Sequence, residues 1–454
     1  MSIDRSLFKG AFYLTLISFI TRFMGFFYRI FLSRTFGEEG VGLYQLIFPI
    51  FSLCLAFSVS GIQTALSRIV AFKSARHDKQ GVKNSLYTAL LLSCFLSFLT
   101  MLLIQQNLDF ISTILLNDKR CKSMLLILTY AFPFATIHSC ISGYYYGLKQ
   151  TKIPAISQLI EQIVRVFFVY ILYKVMIAKH IHLSISIAVI GLVIGEFSSA
   201  TCSILSLKSS HTTNLFHVPN LFNTHFFSNF KELASLSVPL SANRIVLNVL
   251  QSIETISIPA QLQVYRYTSS EALSMYGVLT GMALPCILFP SAITNSISLL
   301  LTPTVAEIDS SSDKERLIKL VKRTIFLSFA LGLFCCFGFL IGGNVIGNVL
   351  FHSEMAGKFI LTLAWICPFL YLNSTLASVI HGLGKTTATF LINIFGISIR
   401  IISIYVFIPL FGIEGYLWGL LCSQILVCIS TIFFLLSTLD KMDSHTPPRQ
   451  FQSP

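Results

Sequence analysis

"ISFITRFMGFFYRIFL", residues Ile17 to Leu32, reads as a membrane-crossing helix that carries Arg22 and Arg29. A span needs about 20 mostly apolar residues, and this stretch with its flanks supplies them. The two arginines are seven residues apart and share one helix face. A central arginine costs about 2.5–3.5 kcal/mol on insertion scales. That face is therefore expected to meet protein or water, not lipid.

The rest of the chain repeats the pattern. Of 454 residues, 54% are hydrophobic and only 11% charged, and the mean hydropathy is +0.76. Soluble domains carry about 25% charged residues, so a soluble enzyme is excluded. Twelve apolar runs fall at 9–33, 44–72, 84–106, 123–147, 154–177, 184–207, 235–259, 273–304, 324–350, 359–381, 387–409 and 415–438. The class is an all-α polytopic membrane protein with about twelve transmembrane helices, and an even number puts both termini on one side. Of the lysines and arginines in the loops, tails and span ends, eighteen lie on the side of the termini and eight on the other. The positive-inside bias makes the termini cytoplasmic. The eleven cysteines have no CxxC spacing and sit mostly in apolar runs, as small hydrophobes do; the ten histidines form no HxxxH pair. No metal, cofactor or disulfide framework is expected. The first apolar stretch holds arginines and has no A-x-A site after it, so it does not read as a cleavable signal.

The polar segment 209–230 separates two sets of six spans. The expected organisation is a lobe at 1–208, a cytoplasmic linker at 209–230, a lobe at 231–440 and a polar cytoplasmic tail at 441–454. Self-similarity joins the halves. "YYYGLKQTKIPAISQLIEQIVRVFFVY" matches "VIHGLGKTTATFLINIFGISIRIISIY" at an offset of 235, placing Gly147 on Gly382 and Arg165 on Arg400. "KGAFYLTLISFITR" matches "KELASLSVPLSANR" at an offset of 222, placing Arg22 on Arg244. Parallel repeats around a midplane cavity are a transporter plan.

Six arginines lie within spans: Arg22, Arg29, Arg68, Arg165, Arg244 and Arg400. Arg68, near a span end, reads as a residue that snorkels to the interface. The others are candidate substrate contacts. Three buried-depth acids, Glu161, Glu196 and Glu254, are candidate partners or coupling groups. Glu161 precedes Arg165 by four residues, ion-pair spacing, and Glu254 lies roughly on the face of Arg244. Arginines outnumber these acids, so an anion is the expected guest. The planar guanidinium fork suits phosphate or pyrophosphate, and nucleic acid is not an expected partner of such a chain. Gly25, Pro49, Gly281, Pro285 and Pro290 are expected bending points, and Asn295 in "ITNS" is a further candidate contact.

"MYGVLTGMALPCILFPSAITNSISLLLTPTVAEI" (Met275 to Ile308) resembles the signature region of the stage V sporulation protein B family, as do the first two spans and "SGYYYGLKQTKIPAISQLIEQIVRV". That family belongs to the multidrug/oligosaccharidyl-lipid/polysaccharide exporter superfamily, to which the bacterial lipid II flippase is related. The resemblance implies a two-lobe, V-shaped, alternating-access transporter, not an enzyme. It implies a lipid-linked anionic saccharide as substrate: an undecaprenyl-pyrophosphate sugar, flipped across a bacterial cytoplasmic membrane for peptidoglycan, spore cortex or polysaccharide synthesis. Cell-wall or spore-envelope synthesis enzymes are the implied neighbours. Arg22, Gly25 and Phe26 match the Arg-x-x-Gly-Phe pattern of the lipid II flippase; where that protein has a second arginine this chain has Tyr28, with Arg29 one residue later. The chain stops after its twelfth span, so a groove for the lipid tail is expected to be built otherwise. Coupling to sodium, protons or membrane potential stays open. The alternative is a multidrug or cation antiporter of the same fold.

Overall fold

The computed structural model describes residues 2–181, 183–209, 224–310 and 314–444. Lipid offers the backbone no hydrogen-bond partners, so long apolar runs close their bonds internally as helices, and the described residues contain no strand. In chain order the helices are α1 (Ser2–Leu46), α2 (Phe48–Leu55), α3 (Gly61–Ala75), α4 (Lys79–Gln106), α5 (Leu108–Phe110), α6 (Cys121–Thr129), α7 (Ala131–Gly147), α8 (Lys152–Ala178), α9 (Ser186–Ser209), α10 (Thr224–Val264), α11 (Ser269–Gly277), α12 (Leu284–Leu288), α13 (Ser291–Ser310), α14 (Lys314–Val345), α15 (Glu354–Ala364), α16 (Cys367–Gly382), α17 (Thr386–Val406), α18 (Ile408–Phe411) and α19 (Ile413–Ser444). π-Helical turns occupy Ala56–Ser60, Ile111–Leu115, Val278–Ala283 and Ile346–Phe351.

Among the described residues, nine helices are long and apolar enough to cross a membrane, and two bent pairs, α6–α7 and α15–α16, raise the number to eleven. The longest, Leu16–Ala75, has 60 residues. At 1.5 Å per residue it is about 90 Å long, enough for two spans. The chain breaks inside it at Gly37, whose φ of 70° is a conformation that costs a side chain dearly. The twelve runs of the sequence are thus all helical. Side chains such as Ile341 (85% exposed) and Phe334 (77%) form the surface offered to lipid.

Contacts group residues 1–282 as one compact unit and 283–454 as another. This division does not fall at 209–230, because α10 packs along α2 and α3 and α11 packs on α1. Most of 209–230, and the tail beyond Ser444, lie outside the described residues. In the first unit the end of α1 meets α11 backbone to backbone: a methyl on Gly277 would lie 2.2 Å from the Glu38 carbonyl oxygen and 2.5 Å from Gly42 N. A methyl on Gly61 would lie 2.6 Å from the Ser237 carbonyl oxygen, so α3 and α10 are equally close. In the second unit α16 packs on α13 and α14, and α17 on α19. The Tyr371 hydroxyl donates to the Ile287 carbonyl at 2.7 Å, tying α16 to α12.

Local geometry recurs at the two offsets read from the sequence. The π-helical turns begin at 56 and 278, an offset of 222, and at 111 and 346, an offset of 235. Left-handed residues recur at 235 as well: Asn117 (φ 53°) with His352 (φ 56°), and Lys149 (φ 60°) with Gly384 (φ 72°). A methyl on Gly147 would lie 2.7 Å from Val70 Cβ, and one on Gly382 would lie 2.7 Å from Val305 Cβ.

Loop charges agree in pairs. Lys73 and Glu232, both near ends expected inside, bridge at 2.7 Å. Arg120 and Glu39, both expected outside, bridge at 2.7 Å. Helix starts there are capped by side chains: Asp78 accepts from Gly81 N at 2.8 Å, and Thr268 forms a capping box with Glu271, each satisfying backbone donors that a helix start leaves open.

Candidate functional site

Arg22 is exposed on α1 and makes no hydrogen bond or ion pair with any described residue. Its face continues through Gly25 to Arg29. A methyl on Gly25 would sit 3.6 Å from Gln162 Nε2, so a carboxamide of α8 rests against this face. Arg29 is exposed and within electrostatic range of Tyr44. Arg68 is exposed on α3. Arg244 is exposed on α10 and donates from Nη2 to the Thr64 hydroxyl at 3.2 Å. The expected pairing of Arg244 with Glu254 is not made. Ten residues of helix put about 15 Å of axial rise between them, beyond side-chain reach. Glu254 is buried and instead lies near Tyr276 of α11.

Arg165 is paired on its own helix. It forms an ion pair with Glu161 one turn earlier on α8, the side chains only 17% and 14% exposed. Glu196 of α9 lies within electrostatic range of Arg165, as do Tyr28 and Tyr44 of α1. Gly195 permits this approach: a methyl there would lie 3.3 Å from Arg165 Cβ. Glu196 is 8% exposed and hydrogen-bonds through its side chain to no described residue. Arg165 Nε is buried with no hydrogen-bond partner among the described residues, and the buried Tyr28 hydroxyl lies beside that of Tyr44. The cluster therefore holds two acids to one arginine at the junction of α1, α8 and α9.

A third feature escaped the sequence reading. A cavity of about 230 Å³ lies between α1–α2, α10 and the turn after α11, lined by Gln45, Ser52, Asn248, Gln251, Thr255 and Thr280, among others, and by no charged residue. The carboxamides of Gln45 and Gln251 and the Ser52 hydroxyl hydrogen-bond to no described residue. On α10, Arg244, Asn248, Gln251 and Thr255 follow one another at helical spacing. That spacing is visible in the sequence, but a search for charged groups passes over it; the facing Gln45, Ser52 and Thr280 come from distant segments and leave no local signal.

The remaining candidates lie elsewhere. Arg400 is half-buried on α17 and Asn295 half-buried on α13, both in the second unit. Beside Asn295 the hydroxyls bond back to carbonyls of their own helix, Thr294 donating to the Ser291 carbonyl at 3.0 Å and Ser296 to the Ala292 carbonyl at 2.9 Å. Of the bending points, Pro49 opens α2, just after a one-residue lapse in the helix at Ile47. Pro285 opens α12, and Pro290 stands between α12 and α13. Gly281 lies in a π-helical turn and is tightly packed, since a methyl there would lie 2.2 Å from Val41 Cγ1.

The fold is that of a polytopic helical membrane protein. Its fold is that of a lipid II flippase MurJ in an inward closed conformation, with a TM-score of 0.72 and 15% identity over 95% of this chain and 90% of that one. An inward-facing multidrug MATE transporter of the MOP superfamily matches at a TM-score of 0.69 and 12% identity, over 94% of this chain and 96% of that one. The chain belongs to the polysaccharide biosynthesis protein family, whose profile matches residues 7–308. It is 28% identical to stage V sporulation protein B of Bacillus subtilis (strain 168), over 93% of this chain and 82% of that protein. It is 21% identical to the lipid II flippase MurJ of the same organism, over 90% of this chain and 78% of that protein.

Proposed function

We propose that this chain is a flippase for an undecaprenyl-pyrophosphate-linked sugar precursor, either lipid II-like or a polysaccharide repeat unit. It carries the headgroup across a bacterial cytoplasmic membrane, with both termini inside, for peptidoglycan, spore cortex or polysaccharide synthesis. One observation carries the reading: Arg22 and Arg244 are exposed within spans and have no carboxylate partner among the described residues. Guanidinium groups held at that depth without counterions favour an anionic guest, and a pyrophosphate accepts the bidentate hydrogen bonds they offer. The family membership and the relatives named above support the same direction.

In the proposed cycle the headgroup enters from the inner leaflet while the polyprenyl tail stays in lipid. The arginines neutralise the pyrophosphate, and the outward-open state loosens those contacts, since a ligand shifts an equilibrium only by binding its two states differently. Glu161, Glu196 and Glu254 are the groups through which a proton or sodium ion would couple to the return step. A cation antiporter would need those acids free to take its cargo, and Glu161 is already held by Arg165.

The test is native mass spectrometry of the purified protein titrated with undecaprenyl-pyrophosphate sugars, beside an Arg22→Ala/Arg244→Ala double variant. Binding that the double variant loses is the expected result. Equal, weak binding by both would overturn the reading.

A further inference from the structure

The cavity beside Arg244 has a chemistry of its own. Its lining is uncharged throughout, and three of its polar side chains, Gln45, Ser52 and Gln251, have no hydrogen-bond partner among the described residues. Ser52 and Gln251 are exposed and Gln45 half-buried, so these groups face open space in which water or a ligand serves them. A carboxamide both donates and accepts, as does a hydroxyl. Such a lining suits a ligand whose own groups both donate and accept and carry no charge. Phe48 adds a flat apolar face at the same wall. At about 230 Å³ the space is smaller than the roughly 300–1,000 Å³ of pockets that take drug-sized ligands.

Position on α10 links the cavity to Arg244. Asn248 is one turn from Arg244, and its Nδ2 donates to the Arg244 carbonyl at 2.8 Å, which leaves its Oδ1 to accept. Gln251 and Thr255 follow on the same face, about 10 and 16 Å of helix rise from Arg244. A group held at the cavity is therefore the next group along from an anion held at Arg244. In a glycosyl pyrophosphate the sugar ring is bonded directly to the phosphate.

We infer that this cavity is a subsite for a neutral sugar ring of the headgroup, read by Gln45, Asn248 and Gln251, with the pyrophosphate on Arg244. The inference rests on the flippase reading above. It names what that reading leaves open: the part of the substrate that is recognised by hydrogen bonds instead of charge. A carboxylate-bearing ring would find no cation in the cavity and is disfavoured there.

The experiment measures affinity for two probes, undecaprenyl pyrophosphate and undecaprenyl-pyrophosphoryl-N-acetylglucosamine, with wild type, Gln251→Leu and Gln45→Leu. The two variants lie on different helices, so a folding defect in one leaves the other informative. Each is expected to weaken binding of the sugar-bearing lipid about five- to tenfold, the effect of one lost hydrogen bond, and to leave the bare pyrophosphate lipid unchanged. Variants that weaken both lipids equally, or neither, overturn the subsite while the flippase reading stands. A wild-type protein that binds neither lipid overturns the flippase reading and the subsite with it.

Discussion

Replacing Gly277 by alanine adds one methyl where α11 lies against the end of α1. That methyl would stand 2.2 Å from the Glu38 carbonyl oxygen, 2.5 Å from Gly42 N and 2.8 Å from Gly42 Cα. Ordinary contact begins near 3.4 Å, so the two backbones must separate by about 1 Å. All three obstacles are main chain, and no rotamer change relieves them. Overpacking of this kind costs about 1–3 kcal/mol, and an all-backbone clash belongs at the upper end. At about 2 °C per kcal/mol for a body of this size, the apparent unfolding midpoint should fall by about 6 °C. The assay is thermal unfolding of the detergent-solubilised protein at one fixed scan rate, because such unfolding is commonly irreversible. Gly338→Ala is the control. Its methyl meets nothing within 4 Å, and alanine for glycine in a helix gains about 0.5–1 kcal/mol. A Gly277→Ala midpoint equal to or above wild type would refute the close approach of α1 and α11.

Two further outcomes are expected, one from the buried ion pair and one from the proposed orientation. Glu161→Gln should destabilise by about 3 kcal/mol, near the lower end for breaking a buried ion pair, because Glu196 stays within range of Arg165; the Glu161→Gln/Arg165→Gln double variant should lose less, and heat unfolding that ranks the double variant lowest would show that the pair is not the stabilising unit. In a cysteine-free background, Asn117→Cys should react with a membrane-impermeant maleimide on intact cells and Lys149→Cys only after lysis; the reverse pattern would invert the orientation proposed here.

Much of this was legible in the chain. The twelve apolar runs are helices because, in lipid, length and apolarity leave the backbone no other solution. The Glu161–Arg165 pair follows from helix geometry alone. The offsets of 222 and 235, found by matching letters, reappear as π-helical turns and left-handed residues that no letter announces. What stayed hidden was tertiary. Arg244 meets Thr64, 180 residues away, and nothing near either residue says so. Glu254 lies ten residues after Arg244, turned away from it around the helix and too far along the axis to touch it, so one is buried and the other exposed. The cavity joins Gln45 and Thr280 to a stripe on α10, and neutral amides and hydroxyls attract no notice until the walls that face them are known.

The two offsets differ, and the difference has a place. Up to the π-helical turn at Val278–Ala283 the second half follows the first at 222; by Val305, against Gly382, it follows at 235. The registers differ by 13 residues, added between Ala283 and Val305, the stretch that holds Pro285, Pro290, Asn295 and Pro303. Two equal halves would bend alike; joints at Pro285 and Pro290 in this stretch give the second half a way of bending of its own, and the halves of a duplicated chain then need not move in step.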